Sequence, residues 1–271
     1  MKINWFPGHM KKTMAEIRSK LANIDVVIYL LDARAPISSI NPSLSKLSQD
    51  KPVLYVFNKV DLADENRVKQ LAVPYKTEKS DYVVMNSILS GASKIIKQKI
   101  LSLANDKIEK FKKKGIKTVV RAIVIGVPNS GKSTLVNNLC GKAKAVTGNK
   151  AGVTKMTQWV SIGDNIEICD TPGTLYPNLE DQEVAKKLLF VGSIKDEVVA
   201  DNIELALELI KMVEEKYPGL LQARYGDDLS LDGIAKKRGF IISKGEPDYD
   251  RAANAVIDDF RKCRIGKITL D

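Results

Sequence analysis

Residues 126–133 read Gly-Val-Pro-Asn-Ser-Gly-Lys-Ser, the spacing G-x-x-x-x-G-K-S. An apolar run, Arg121 to Ile125, leads into them, and a stretch of helical character opens at Ser133. That context dictates a strand, a tight loop and a helix in succession. Backbone amides of such a loop wrap phosphate oxygens, and the helix N-terminus turns its positive end toward them. Lys132 answers the charge of β- and γ-phosphates, and Ser133 offers a hydroxyl to Mg²⁺. Asn129, Ser130, Gly131 and Thr134 complete the predicted phosphate contacts. A chance match in a chain of ordinary composition is on the order of one in a hundred.

A strand–loop–helix unit of this kind needs a sheet around it. Asp25 to Leu31, Pro52 to Phe57 and Tyr82 to Met85 are apolar runs of strand length without alternation, as expected of strands covered on both faces. Trp159 to Ile162 and Ile166 to Cys169 read as two more, joined by a turn at Gly163-Asp164. Helices are predicted over 10–23 and 95–114. Strands alternating with helices give an α/β class with a mainly parallel sheet. Beyond about residue 178 the strand signal fades. Asp181 to Val191, Asp201 to Tyr217 and Tyr249 to Lys262 read as helices, the first ended by Gly192 and the second stopped by Pro218-Gly219. The predicted organisation is a sheet domain over 1–178 and a small all-α domain over 179–271.

Asp170-Thr171-Pro172-Gly173 follows the last strand. D-x-x-G alone occurs about once per chain by chance; its place at a strand end beside the phosphate loop gives it meaning. Asp170 is placed to hold Mg²⁺ through water, and the Gly173 amide to sense the γ-phosphate. Thr154, between the two motifs, is the candidate threonine that closes over Mg²⁺. Asn58-Lys59-Val60-Asp61 ends another strand and fits N-K-x-D, which selects guanine: a carboxylate accepts from N1–H and N2–H, a pair adenine lacks. Ser87, after the next strand, fits the loop whose amide reads guanine O6. The full guanine-nucleotide set is present but rotated, with N-K-x-D and the serine loop ahead of the phosphate loop. A sheet of this kind tolerates rotation if the old ends are joined and new ones open at the surface. The lysine-rich segment 105–117 is the predicted join.

Composition narrows the setting. No apolar run reaches the ~20 residues of a membrane-spanning helix, and residues 1–10 carry no apolar core of signal-peptide length, so a cytoplasmic protein is expected. Three scattered cysteines, Cys140, Cys169 and Cys263, fit reduced thiols rather than a disulfide framework or zinc site. The net charge of +10 is unevenly placed: residues 1–179 hold 28 Lys+Arg against 14 Asp+Glu, and 180–271 hold 15 against 19. Such a surplus fits a polyanionic partner such as nucleic acid, and equally a lysine-rich solvated surface.

With these motifs in rotated order, the chain resembles the circularly permuted P-loop GTPases. Among them it is most similar to the ribosome biogenesis GTPase A family, bacterial assembly factors for the large ribosomal subunit. Trp5 to Met10, Asp32-Ala33-Arg34, Thr147 to Lys155 and Lys236-Lys237-Arg238-Gly239 carry the resemblance together with the motifs above. It implies a Mg²⁺-dependent GTPase domain followed by a helical domain, with binding to ribosomal RNA and the large subunit or its precursor. The alternatives are a GTPase acting on another RNA and an RNA-binding scaffold that holds GTP with negligible turnover. Where many GTPases carry a water-orienting glutamine after D-x-x-G, this chain has Thr174, which is too short. The resemblance gives that role to His9, the single histidine; the alternative is a histidine that anchors the helix from Met10. Asn129 resembles the asparagine of GTPases that hold K⁺ beside the phosphates, the alternative being a bond within its own loop. Two positions depart from the family pattern, Ala151 for proline and Thr174 for a bulky apolar residue, and neither is expected to touch a phosphate-binding position.

Overall fold

The apolar runs become the strands of one six-stranded sheet: β1 Val26–Asp32, β2 Val53–Asn58, β3 Ser80–Val84, β4 Val120–Ile125, β5 Trp159–Gly163 and β6 Ile166–Cys169. Their spatial order is β3-β2-β1-β4-β6-β5. All neighbours are parallel except β5, which returns antiparallel to β6. The computed structural model describes residues 9–89, 91–141, 159–171, 173–174, 181–196 and 201–271, with side chains from Thr13 onward except Lys244.

All seven residues of β1 are buried, because alternate side chains feed cores on opposite faces. Val27, Tyr29 and Leu31 pack with Ile17 and Leu21 of α1 (His9–Leu21), Leu44 of α2 (Pro42–Ser48) and Val68 of α3 (Glu65–Ala72). Ile28 and Leu30 pack with Ile96 and Ile100 of α4 (Ala92–Leu103) and Leu135 and Leu139 of α6 (Lys132–Cys140). Burying an Ile or Leu side chain contributes about 1.5–3 kcal/mol, so the unbroken apolar run is what fixes β1 at the centre.

Two expectations shift. The helix expected over 95–114 is two helices, α4 and α5 (Asn105–Lys112), broken at Ala104, whose backbone leaves the helical region at φ −93°, ψ 8°. The change of direction lets Ile108 pack on the same core as Ile100, while Lys107 pairs with Asp25 at 2.7 Å. The hairpin turn lies one residue later than expected, at Asp164-Asn165, both at positive φ (53° and 56°). A two-residue loop with that geometry matches the right-handed strand twist.

Residues 182–261 supply α7 (Gln182–Phe190), α8 (Asn202–Lys216), α9 (Leu220–Tyr225), α10 (Leu231–Arg238) and α11 (Tyr249–Arg261). The side chains of Asp181, Asp201, Ser230 and Asp248 accept from first-turn amides of α7, α8, α10 and α11, which satisfies donors a helix leaves open. Leu188, Leu209, Val213, Ile234, Val256 and Phe260 gather in a core that Ala35 and Val127 also join. The last residues return to the sheet: the Leu270 amide donates to the Arg34 carbonyl at 2.7 Å, and the Ser38 hydroxyl to the Asp271 carboxylate at 2.7 Å.

Candidate active site

Because β1, β2, β3, β4 and β6 are parallel, the loops after all five open on one edge of the sheet, where α/β folds hold ligands. The loop after β4 is residues 126–131, and α6 begins at Lys132. Gly131 sits at φ 101°, and a Cβ there would lie 2.5 Å from Asn58 Nδ2. Gly173 is held by closeness alone: a Cβ would lie 2.5 Å from Pro128 Cα and 3.0 Å from Lys132 Nζ. The D-x-x-G glycine therefore stands directly over the loop and its lysine.

The Lys132 side chain is folded into its own loop, donating to the Val127 carbonyl at 2.8 Å. Burial pushes its pKa down to about 8, against the pull of Asp170. The Ser133 hydroxyl donates to Asp170 Oδ2 at 2.8 Å. Asp170 Oδ1 is buried with no partner among the described residues, and burial raises the pKa of this carboxyl despite Ser133 and Lys132. A hydroxyl beside a carboxylate with an unanswered buried oxygen suits a hard, oxygen-seeking cation. Ser133 and Asp170 are thus the residues that would hold Mg²⁺, which when bound neutralises phosphate charge. Thr171 Oγ1 donates to the Val124 carbonyl at 2.6 Å and pins the segment to β4. The Thr174 amide donates to the Gly126 carbonyl at 3.1 Å, with its side chain buried. Thr174 thus bonds the loop's first glycine, which is not one of the predicted phosphate contacts.

The guanine loops meet the phosphate loop through Asn58. Its Nδ2 donates to the Ser130 carbonyl at 2.8 Å, and its Oδ1 accepts from the Ser87 amide at 2.9 Å. The amide expected to read guanine O6 is therefore engaged with Asn58. Asn138, which sequence reasoning passed over, donates to the Ser87 carbonyl. Lys59 has left-handed backbone geometry, φ 63°, so the chain turns sharply and carries Asp61 outward. Asp61 is exposed on a single helical turn, Val60–Leu62.

Beneath these loops Lys59 joins a charged cluster with Asp32 and Arg34, two residues without a role assigned from the sequence. Asp32, at the end of β1 and 1% exposed, accepts from Arg34 Nε (2.9 Å), Arg34 Nη2 (2.7 Å) and Lys59 Nζ (2.8 Å). Burial opposes its charge, but Arg34 and Lys59 outweigh it and hold the carboxyl well below the usual range. Lys59 also donates to the Asn129 carbonyl at 2.5 Å; burial lowers its pKa against the pull of Asp32. The signal that could have pointed to this cluster is a carboxylate, Asp32, closing an otherwise apolar strand, with Arg34 two residues beyond it. Asn129 is in left-handed geometry, φ 58°, and its amide donates to the Gly192 carbonyl at 2.6 Å, a partner outside its own loop. The side chain of His9, all of Thr154, and Ala151 lie outside the described residues.

A family model described as a 50S ribosome-binding GTPase matches residues 121–222. It begins at β4, so Asn58 to Asp61 fall upstream of it. Over its whole length the chain is 39% identical to ribosome biogenesis GTPase A of Bacillus cereus, with 94% of that protein covered. The chain belongs to the ribosome biogenesis GTPase A family. Two solved structures agree with the architecture. The GDP-bound structure of TM YlqF superposes with a TM-score of 0.66 at 26% identity, covering 94% of this chain and 98% of that one. The GNP-bound YlqF from T. maritima gives 0.65 at 26%, covering 96% and 97%. The protein is a circularly permuted P-loop GTPase, a GTP hydrolase. Its family's rotated order explains why β4 and the phosphate loop lie mid-chain yet at the centre of the sheet.

Proposed function

We propose that this GTPase acts in assembly of the large ribosomal subunit, binding that particle or its precursor through ribosomal RNA as its nucleotide state dictates. The observation that carries the reading is the full-length kinship with ribosome biogenesis GTPase A proteins. The positive surplus confined to residues 1–179 supports an RNA partner. Residues 1–178 are taken as the GTPase domain and 179–271 as its helical companion. Asn129 to Thr134 and Gly173 hold the phosphates; Ser133, Thr154 and Asp170 hold Mg²⁺; Asn58, Lys59, Asp61 and Ser87 form the base pocket. K⁺ would bind through the remaining amide oxygen of Asn129. No helix among the described residues is long and apolar enough to cross a membrane, and the reading places the protein in the cytoplasm.

Purified large-subunit precursors, with and without a GTP analogue, supply the test. Binding is expected to be tighter in one nucleotide state, and log affinity to fall linearly with log salt as lysines release counterions from RNA. Affinity equal in both states and insensitive to salt would refute the reading. For hydrolysis, the proposal assigns His9 a bond to the attacking water. His9→Ala is then expected to lower particle-stimulated turnover at least tenfold while GTP affinity stays within about twofold, since the lost contact exists only in the transition state. Equal turnover in both proteins would leave His9 an anchor for α1.

A further inference from the structure

The C-terminal end of α7 is capped in an unusual way. A helix leaves its last carbonyls without intrahelical donors. Here the carbonyls of its last two residues and of the two residues that follow are each met by a side chain. Arg261 of α11 donates to Leu189 (2.7 Å) and Phe190 (3.0 Å). Arg34 donates to Val191 at 3.0 Å, and Asn129 to Gly192 at 2.6 Å. Two caps thus come from the helical bundle, one from the loop after β1 and one from the phosphate loop. Arg34 also reaches the Arg261 carbonyl at 3.3 Å, and Asp196 holds the Arg261 guanidinium through both its oxygens.

Arg34 is 3% exposed and uses its fork in two directions. It grips Asp32, which in turn grips Lys59; Lys59 bonds the backbone of Asn129. The Nη2 that holds Asp32 also donates to the Val191 carbonyl at the α7 terminus, and Nη1 reaches α11. The path from N-K-x-D to the bundle is therefore an unbroken chain of short polar bonds, and it meets the phosphate loop again at Gly192. The negative end of the α7 dipole faces this positive pair, which favours docking further.

We propose that Arg34 is a positioning residue for guanine-nucleotide binding, presetting Lys59 and Asn129 through the docked end of α7. It rests on the assignment of residues 58–61 and 126–133 as nucleotide loops. Nucleotide affinity and docking of the α7 terminus are then linked, and linkage is reciprocal. Arg34 touches no nucleotide in this scheme; it acts through Asp32 and Lys59.

The test is a double-mutant cycle on GDP affinity in the full-length protein. Wild-type GDP binding is measured first; its absence would overturn the site assignment rather than the link. Arg34→Gln is expected to weaken GDP about tenfold, and Arg261→Gln, which alters only the bundle side, severalfold. The double variant should be far closer to Arg34→Gln than to the product of the two, because both cut one path. Arg34→Lys keeps the charge but cannot span Asp32 and Val191, so it should bind no better than Arg34→Gln. Full rescue by lysine, wild-type affinity in Arg261→Gln, or independent effects would each overturn the proposal. Should an Arg34 variant fail to fold, the wild type still decides. Saturating GDP should slow amide exchange over residues 189–194 at least fivefold, and unchanged exchange there would overturn the link.

Discussion

Asp61→Asn is expected to move nucleotide preference from guanine to xanthine. In the proposed pocket the Asp61 carboxylate accepts from N1–H and N2–H of the base. Hydrogen bonds to a charged group contribute about 1.5–3 kcal/mol each; asparagine keeps an oxygen for N1–H but turns an N–H toward N2–H, so GDP and GTP affinity should fall on the order of 10- to 10²-fold. Xanthine replaces the N2 donor with an oxygen, which an amide nitrogen can meet, so its nucleotides should gain affinity. The fold should not respond, since Asp61 is exposed on a single turn. Asn58 forms the contrast. Its side chain ties Ser130 to Ser87 at 2.8 and 2.9 Å, so removing it should weaken all nucleotides alike. Competition titrations with guanine and xanthine diphosphates measure both effects. Unchanged guanine affinity in Asp61→Asn would remove this loop from the base pocket.

The central strands were legible because they are covered on both faces. Val26 to Leu31 and Ile123 to Ile125 are apolar without alternation for that reason. Strand order was not read from the sequence, since periodicity says nothing about neighbours. The short helices escaped notice. α2 and α3 rest on the side-chain caps Asn41 and Asp64, and seven or eight residues carry too few turns for a periodic pattern. The site was legible where chemistry demands a fixed local spacing, as at residues 126–133. It was not legible where a group serves a distant partner. Arg34 bonds carbonyls 157 and 227 residues away, and no spacing encodes that. Ser87 fell between these cases: its loop was recognisable, but that its amide bonds Asn58 depends on how two strands stand side by side.

Lys132→Ala is expected to abolish tight triphosphate binding while leaving the empty protein folded. The lysine is buried and bonded to its own loop. Burial depresses its pKa to about 8, so in the empty protein its charge is disfavoured relative to the unfolded chain. The unfolded lysine, near 10.4, holds a proton that the folded one has released between about pH 8 and 10.4. Stability of the empty wild type therefore gains from this group as pH rises through that window, and the alanine variant lacks that gain. Phosphate reverses the preference, because an anion favours the ammonium form. At pH 8.5 the wild type should thus take up protons as nucleotide binds, because part of Lys132 is neutral beforehand. Calorimetry in two buffers of different ionisation enthalpy reads that uptake directly. Loss of both affinity and proton uptake in Lys132→Ala places the lysine on the phosphates. A variant that binds GTP at wild-type strength, or takes up the same proton, would mean that another group answers the phosphate charge.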